Sequence, residues 1–242
     1  MSEIIRFDLN GVNSYLAKSK NGFILFDTGG HVSMDQPFTN RRELLLKGLE
    51  SAGCAEDNLN LIVLTHGDND HTCNAAYLRE RFHVKIAMHS GDLELVEHPT
   101  LQRLMESYQY DSPQLQQMFL QYKEIITKVT QKILDEFEPF SPDVLLQDGD
   151  NLSAYGFDAT VIHTPGHTDG SIAVLTKSGD LIAGDTFVNN DQPSQSPNAS
   201  DFSQLANSIN RIRSMTIENV YPGHGNPFKF NDAIARILDK TL

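Results

Sequence analysis

The sequence predicts an α/β protein in which two β-sheets pack together and helices cover their outer faces. Strand-like and helix-like segments come in the order strands, helices, strands, helices along the 242 residues, which is typical of layered α/β domains. Some strands are continuous apolar runs, as expected for strands that are buried on both faces. Reactive polar residues follow directly after several of these strands. Hydrophobic periodicity alone does not distinguish this arrangement from other α/β layouts.

The chain begins with a predicted hairpin and a helix. The runs SYLAKS and GFILFD read as two strands, and residues 20–22 supply the Lys-Asn-Gly turn that joins them. A helical pattern then covers residues 40–52, with Asn40 as the N-cap, Glu43 three residues later and Gly53 as the stop.

The middle of the chain contains two further strands and a long helix. Residues 59–64 form an apolar strand, a helix begins near Asn74, and the run VKIAMHS is the next strand. The region 91–110 is helical or irregular. Over 111–137, apolar residues recur at spacings of three and four behind the run DSP, which supplies a cap and a proline and so predicts one long amphipathic helix.

The last part of the chain returns to strands. Four runs, DVLLQ, FDATVIHT, SIAVLT and DLIAGDT, are separated by turns that contain glycine or aspartate. Residues 189–200 are polar and contain prolines, so we expect a loop there. A helix capped by Asp201 follows, then a strand that ends in YPGHG, and residues 231–240 are predicted to form a terminal helix.

Composition restricts the class of partner. With 19 basic and 32 acidic residues the net charge is −13, which disfavours nucleic acid and anionic membranes. Two cysteines give no disulfide framework. The first residues lack the apolar core of a signal peptide, and no apolar run is long enough to cross a bilayer. We therefore expect a cytoplasmic protein, whose oligomeric state the sequence leaves open.

Four reactive side chains lie within the run THGDNDHT, immediately after the apolar strand 59–64: His66, Asp68, Asp70 and His71. Alternate positions of an extended segment point the same way, and a turn brings the last histidine to the same side. Imidazole nitrogens and carboxylate oxygens together suit zinc, iron or manganese. This run is therefore the candidate metal-binding cluster.

Three more positions repeat the same pattern further along the chain. His167 lies in HTPGHTDGS, Asp185 in IAGDTF and His224 in YPGHGNP. Each is a reactive residue in a glycine-containing segment at a predicted strand end, where a rigid sheet can position it. We expect all three to join the histidine-aspartate cluster in one centre.

These blocks resemble the signature of the metallo-β-lactamase superfamily, which is His-x-His-x-Asp-His followed by a lone His, a lone Asp and a last His. The runs FDTG and TPGHTDGS resemble the same family, and the resemblance extends from SYLAKSKNGFILFDTG to YPGHG. It implies an αββα four-layer sandwich of two mixed sheets with helices outside. We expect one such domain over residues 1–242, with a helical insertion near 91–137.

The resemblance implies two adjacent sites for two divalent metal ions, with zinc as the first expectation and manganese or iron as alternatives. The implied ligands are His66, position 68 and His167 for the first metal, Asp70, His71 and His224 for the second, and Asp185 as the bridge between them.

Position 68 departs from the family pattern, because Asp68 stands where the second histidine is usual. A carboxylate can still coordinate through oxygen, and it favours harder metals. It therefore shifts the preference of the site from zinc toward manganese and iron. The flavodiiron branch of the superfamily also has a carboxylate here, a glutamate, and uses iron. Alternatively, Asp68 is not a ligand and only the second site is occupied.

The resemblance implies a metal-dependent hydrolase that acts on a small molecule. A metal-bound hydroxide would attack an ester, lactone or thioester carbonyl, with Asp70 orienting it and relaying a proton to the leaving group. Two alternatives remain. One is a metal-binding or sensing protein without hydrolytic activity, and the other is an iron-dependent redox protein.

Overall fold

Two six-stranded sheets form the centre of the molecule in the computed structural model, which describes residues 3–30, 41–106 and 109–231. In the first sheet the spatial order is β1-β2-β3-β4-β5-β7. Its strands are β1 Ile4–Asp8, β2 Asn13–Ser19, β3 Gly22–Phe26, β4 Leu59–Val63, β5 Ile86–His89 and β7 Val144–Leu146. The pairs among β1, β2 and β3 are antiparallel, and those among β3, β4, β5 and β7 are parallel.

The second sheet has the order β14-β13-β10-β9-β8, and β11 pairs with β10 outside this path. Its strands are β8 Ala159–His163, β9 Ile172–Thr176, β10 Asp180–Asn189, β11 Ser194–Gln195, β13 Asn219–Gly225 and β14 Phe228–Lys229. Only β10 and β13 pair in parallel within the described part of this sheet. A separate two-stranded ribbon joins β6 Gln109–Tyr110 to β12 Asn198–Ala199.

Helices occur in three regions of the described chain. They are α1 Arg41–Ser51, α2 Asn69–Thr72, α3 Ala75–Phe82, α4 Leu93–Glu97, α5 Leu101–Glu106, α6 Pro113–Glu136 and α7 Phe202–Arg213, with short 3-10 turns at Ser90–Asp92 and Leu152–Tyr155. None of the described helices is long and apolar enough to cross a membrane.

Three layers of buried apolar side chains separate the four layers of the sandwich. The alternation of side chains along each strand explains this, because neighbouring residues point to opposite faces. In β4, Leu61 and Val63 face the second sheet, whereas Ile62 faces the helices α1 and α3. On the far side, α7 packs its buried face, including Leu205, against the outer face of the second sheet. The αββα arrangement of two mixed sheets is therefore confirmed.

Most predicted elements appear close to their expected positions. Ser19 pairs with Gly22 across the first hairpin, and α6 begins at Pro113 with Ser112 as its N-cap. No residue of α6 is buried, although Ile133 packs against the outer core. Asn40, the predicted cap of α1, and most of the predicted terminal helix 231–240 lie outside the described residues.

The segment 189–200 differs from the expected loop. It contains two short strands, β11 and β12, which begin just after Pro193 and Pro197. β11 forms a short hairpin with the end of β10, whereas β12 pairs with β6, which is distant in sequence. Such short pairings produce no local hydrophobic period that the sequence could reveal.

Candidate metal centre

Four segments bring the predicted ligands together. The chain from His66 to His71 leaves the end of β4, and His167 lies in the turn between β8 and β9. Asp185 lies within β10, and His224 lies near the end of β13, the parallel neighbour of β10. The structure places all seven predicted side chains in one cluster.

The first group contains His66, Asp68, His167 and Asp185. Asp68 Oδ2 lies 3.2 Å from His167 Nε2 and 3.7 Å from His66 Nε2. Asp185 Oδ2 lies 3.7 Å from His167 Nε2. Since His66, His167 and Asp185 each present one ligand atom within 4.8 Å of the others, a single ion could contact all three. The Asp68 side chain points toward the same point.

The second group contains Asp70, His71 and His224, and it shares Asp185 with the first. Asp70 Oδ2 lies 3.5 Å from His224 Nε2 and 3.8 Å from His71 Nε2. Asp185 Oδ1 lies 3.4 Å from His71 Nε2, and its Oδ2 lies 3.1 Å from His224 Nε2. Asp185 thus contacts histidines of both groups, which is the position expected of a bridging ligand.

All four histidines present Nε2 to the centre and turn Nδ1 toward an oxygen outside it. His66 Nδ1 lies 3.0 Å from Thr65 Oγ1. His167 Nδ1 lies 3.0 Å from the Asn198 carbonyl, and His224 Nδ1 lies 2.6 Å from the Gly11 carbonyl. Carbonyl acceptors require a proton on Nδ1, which leaves the Nε2 lone pair free for a metal.

Asp27 holds the fourth histidine, and the sequence did not identify this role. Its Oδ2 lies 3.0 Å from His71 Nδ1, and its two oxygens also accept hydrogen bonds from Thr65 N at 2.7 Å and Thr65 Oγ1 at 2.8 Å. With both oxygens engaged, Asp27 orients His71 rather than binding the metal. The signal was available, because Asp27 follows the buried strand β3 directly in the run FDTG.

The donor set fits a pair of cations. His66 Nε2 and Asp185 Oδ1 are buried and have no hydrogen-bond partner within the described chain. Buried polar atoms of this kind need a partner, and both face the cluster. Asp68, Asp70 and Asp185 together with Asp27 carry four negative charges when ionised, which two divalent cations would neutralise.

Without metal, protons on histidine provide part of this neutralisation. Burial opposes the charged form of His71, but the carboxylates of Asp185, Asp70 and Asp27 outweigh it and raise the pKa of His71 to about 10. The same balance, with burial opposed by neighbouring carboxylates, raises the pKa values of His167 and His224 to about 9.

The pKa values of the other residues of the centre are shifted in different directions. Burial and the neighbouring His71 hold the pKa of His66 well below its ordinary value. For Asp185, burial is outweighed by the charges of His224 and His71, which keep its pKa well below the usual range. Burial raises the pKa of Asp68, against the hydrogen bond from His167.

Solvent exposure is uneven among the side chains of the centre. The side chains of Asp70 and His224 are 39% and 22% exposed, whereas those of His66, His71 and His167 are at most 1% exposed. Among the described residues, Asp70 and His224 therefore form the most exposed edge of the centre.

Comparisons with known proteins identify relatives with the same fold. A probable metallo-hydrolase from Methanocaldococcus jannaschii is 29% identical over 220 residues, which cover 88% of this chain and 87% of that protein. A metallo-β-lactamase family protein from Thermus thermophilus superposes with a TM-score of 0.69 at 20% identity, covering 97% of this chain and 77% of its own. A protein solved in a di-iron-bound form gives a TM-score of 0.61 at 25% identity, over 91% and 90% of the two chains.

The family model described as the metallo-beta-lactamase superfamily matches residues 7–224, a span that contains Asp27 and all seven predicted ligands. The chain belongs to the metallo-β-lactamase superfamily.

Proposed function

We propose that this protein hydrolyses an ester, lactone or thioester bond of a small molecule. Members of its superfamily are metal-dependent hydrolases, and the relative from Methanocaldococcus jannaschii is described as a probable metallo-hydrolase. The observation that carries the proposal is the convergence of four Nε2 atoms and three carboxylates on one partly open centre.

Seven side chains would hold two divalent cations. The proposed ligands are His66, Asp68 and His167 for the first, Asp70, His71 and His224 for the second, and Asp185 for both. Bound cations supply Lewis-acid activation of water and of the substrate carbonyl. The inward direction of Asp68, 3.2 Å from His167 Nε2, supports coordination by this residue rather than a single occupied second site.

Asp70 is the proposed catalytic carboxylate. It is the most exposed of the seven proposed ligands, and it lies beside His224 at the exposed edge of the centre. From this position its outer oxygen can accept a proton from the attacking water and pass it to the leaving group. The buried residues His66, His71 and His167 hold their geometry and exclude bulk solvent from the far side of the centre.

The charge of the whole chain supports a carbonyl substrate over a phosphodiester. Two bound divalent cations would largely neutralise the carboxylates of the centre, but the chain carries a net charge of −13. This overall field disfavours the approach of an anionic substrate unless basic groups compensate it. An uncharged ester or lactone does not meet this electrostatic repulsion.

The metal is proposed to be zinc, with manganese and iron as alternatives. Four imidazoles suit zinc, while three carboxylate ligands shift the preference toward harder ions. The similar protein solved in a di-iron-bound form supports iron as the principal alternative. An iron-dependent redox function is the alternative activity that goes with that metal.

Metal analysis followed by an activity panel tests the proposal. The full chain, purified without chelator, should contain two metal ions per chain by elemental analysis and should hydrolyse chromogenic esters, lactones or thioesters. Chromogenic phosphodiesters serve as the negative control and should not be hydrolysed. Two bound metals without hydrolysis of any carbonyl substrate would favour a binding or sensing protein, and two irons with redox activity would favour the iron-dependent alternative.

A further inference from the structure

A second buried carboxylate, Asp92, joins the two loops that carry the proposed ligands of the first metal. It ends the 3-10 turn Ser90–Asp92 after β5 and is 1% exposed. Asp92 Oδ2 accepts hydrogen bonds from Gly67 N at 2.8 Å and from Thr168 Oγ1 at 2.7 Å. Its Oδ1 accepts one from Gly170 N at 2.7 Å.

Two of the three donors come from positions adjacent to the ligands, and the third, Gly170, lies three residues after His167. Gly67 lies between His66 and Asp68 in the first loop, and Thr168 follows His167 in the second loop. Across this junction Asp68 Oδ2 approaches His167 Nε2 to 3.2 Å. The carboxylate of Asp92 therefore connects the amide of Gly67, between His66 and Asp68, to the hydroxyl of Thr168, beside His167.

Both loops are shaped to let this carboxylate approach. A side-chain carbon added at Gly170 would lie 2.5 Å from Asp92 Cγ, and one added at Gly67 would lie 2.9 Å from Asp92 Cβ. The Thr168 hydroxyl also contacts Ser171 Oγ at 2.8 Å, which extends the network into the second loop. Close packing on both sides leaves little freedom for either loop to move relative to Asp92.

The chemistry of the contact requires a carboxylate. All three contacts are donors directed at oxygen, and only an ionised carboxylate offers acceptors on both side-chain atoms. Burial raises the pKa of Asp92 to about 6, against the hydrogen bonds from Thr168 and Gly170. The group is thus ionised at pH 7.5, and these three donors to it are neutral. An asparagine would place an amino group against at least one of the donors.

We propose that Asp92 is a positioning residue that sets the separation of the two loops and so fixes His66, Asp68 and His167 for the first metal. The inference rests on the proposed function, because it assumes that these side chains bind a metal. Asp92 itself does not reach the centre, and it acts through the chain at Gly67 and Thr168. Removal of such supporting contacts typically lowers metal affinity by about 10–100-fold.

The test compares D92N with D180N in the full-length, zinc-loaded protein. Asp180 is a matched control, because it is also a buried carboxylate, 3% exposed, and accepts hydrogen bonds from Asn219 and Ser178. It is the first residue of β10, ahead of the part of the strand that carries Asp185. Chelator competition measures the affinity of each zinc ion, and imidazole ¹⁵N resonances show which histidines lose their metal. D92N should weaken one zinc ion by about 10–100-fold, with the resonances of His66 and His167 changing and those of His71 unchanged.

A second measurement does not depend on metal. In the metal-free protein, the amide protons of Gly67 and Gly170 should exchange faster in D92N than in the parent and in D180N. If D92N does not fold, T168V removes only one donor with little change of shape and should weaken the same zinc ion by a smaller factor.

The outcomes separate this inference from the proposed function. Two zinc ions held by D92N with parental affinity, or equal weakening in D92N and D180N, would overturn the role of Asp92 alone. A parent protein that holds no zinc would overturn the metal centre, and the role of Asp92 with it.

Discussion

Asp27 Oδ2 and His71 Nδ1 lie 3.0 Å apart in a fully buried contact, so a carboxylate outside the centre fixes the orientation of a proposed ligand inside it. The same carboxylate binds both the amide and the hydroxyl of Thr65, whose hydroxyl faces His66 Nδ1. One residue thereby orients a histidine of each group. Contacts of this kind control ligand geometry and basicity in metal sites.

We predict that D27N lowers the affinity for the second metal by about 10–100-fold, because the amide is a poorer partner for His71 than a carboxylate. Asparagine suits this test, since Asp27 has a φ of 58° and asparagine tolerates the left-handed region. Chelator competition and kcat/KM measure the effect. Unchanged affinity for both metals in D27N would show that the contact serves stability only.

Position 68 distinguishes an adapted site from an impaired one. We predict that D68H lowers both first-site affinity and activity, because the shorter carboxylate already approaches His167 Nε2 to 3.2 Å in a site where it is 12% exposed. A larger ring there must displace its neighbours. The control is D68N, which keeps the shape and removes the charge. Higher activity in D68H than in the parent would instead identify an impaired relative of histidine-containing enzymes.

Kinetics and metal content together distinguish the catalytic role of Asp70 from its role as a ligand. D70N should lower kcat by about 100-fold or more, because an amide cannot accept the proton of the attacking water. D70A and H224A should in addition lose metal, since both side chains belong to the second group. Elemental analysis beside steady-state kinetics distinguishes the two effects. Full activity in D70A or H224A would contradict the proposed centre.

The ligands could be predicted from the sequence, but the contacts that support them could not. Each ligand lies in a recognisable run, so local pattern and family resemblance were sufficient, although Asp185, expected at a strand end, lies within β10 because that strand continues to Asn189. Asp27 lies 44 residues from His71, and Asp92 lies 76 residues from Thr168. Contacts over such separations depend on how strands pair and loops pack, and neither leaves a periodic signal in the chain. The short strand β12, whose Asn198 carbonyl holds His167, was missed for the same reason.

Metal binding should release protons. The pKa values of His71, His167 and His224 are raised to about 10, 9 and 9 in the metal-free protein, so these rings are charged at pH 7.5. Coordination requires neutral imidazole, and binding of two cations should therefore release about three protons. Calorimetric titrations with zinc in buffers of different ionisation enthalpy measure this number. A release near zero would mean either that these rings are neutral before metal binding or that they do not bind the metal.

The same shifts determine how the stability of the metal-free protein depends on pH. A histidine with a folded pKa above its unfolded value stabilises the fold fully below about pH 6.5, and this stabilisation is lost as pH rises through the folded pKa. Because the unfolded value is about 6.5 and the raised values lie at about 9 to 10, the melting temperature of the chelated protein should fall between about pH 6.5 and pH 10. The zinc-loaded protein is the control, and it should show a smaller decline, because its imidazoles are already neutral when they bind metal. Equal declines in both forms would contradict the assignment of these three histidines as ligands.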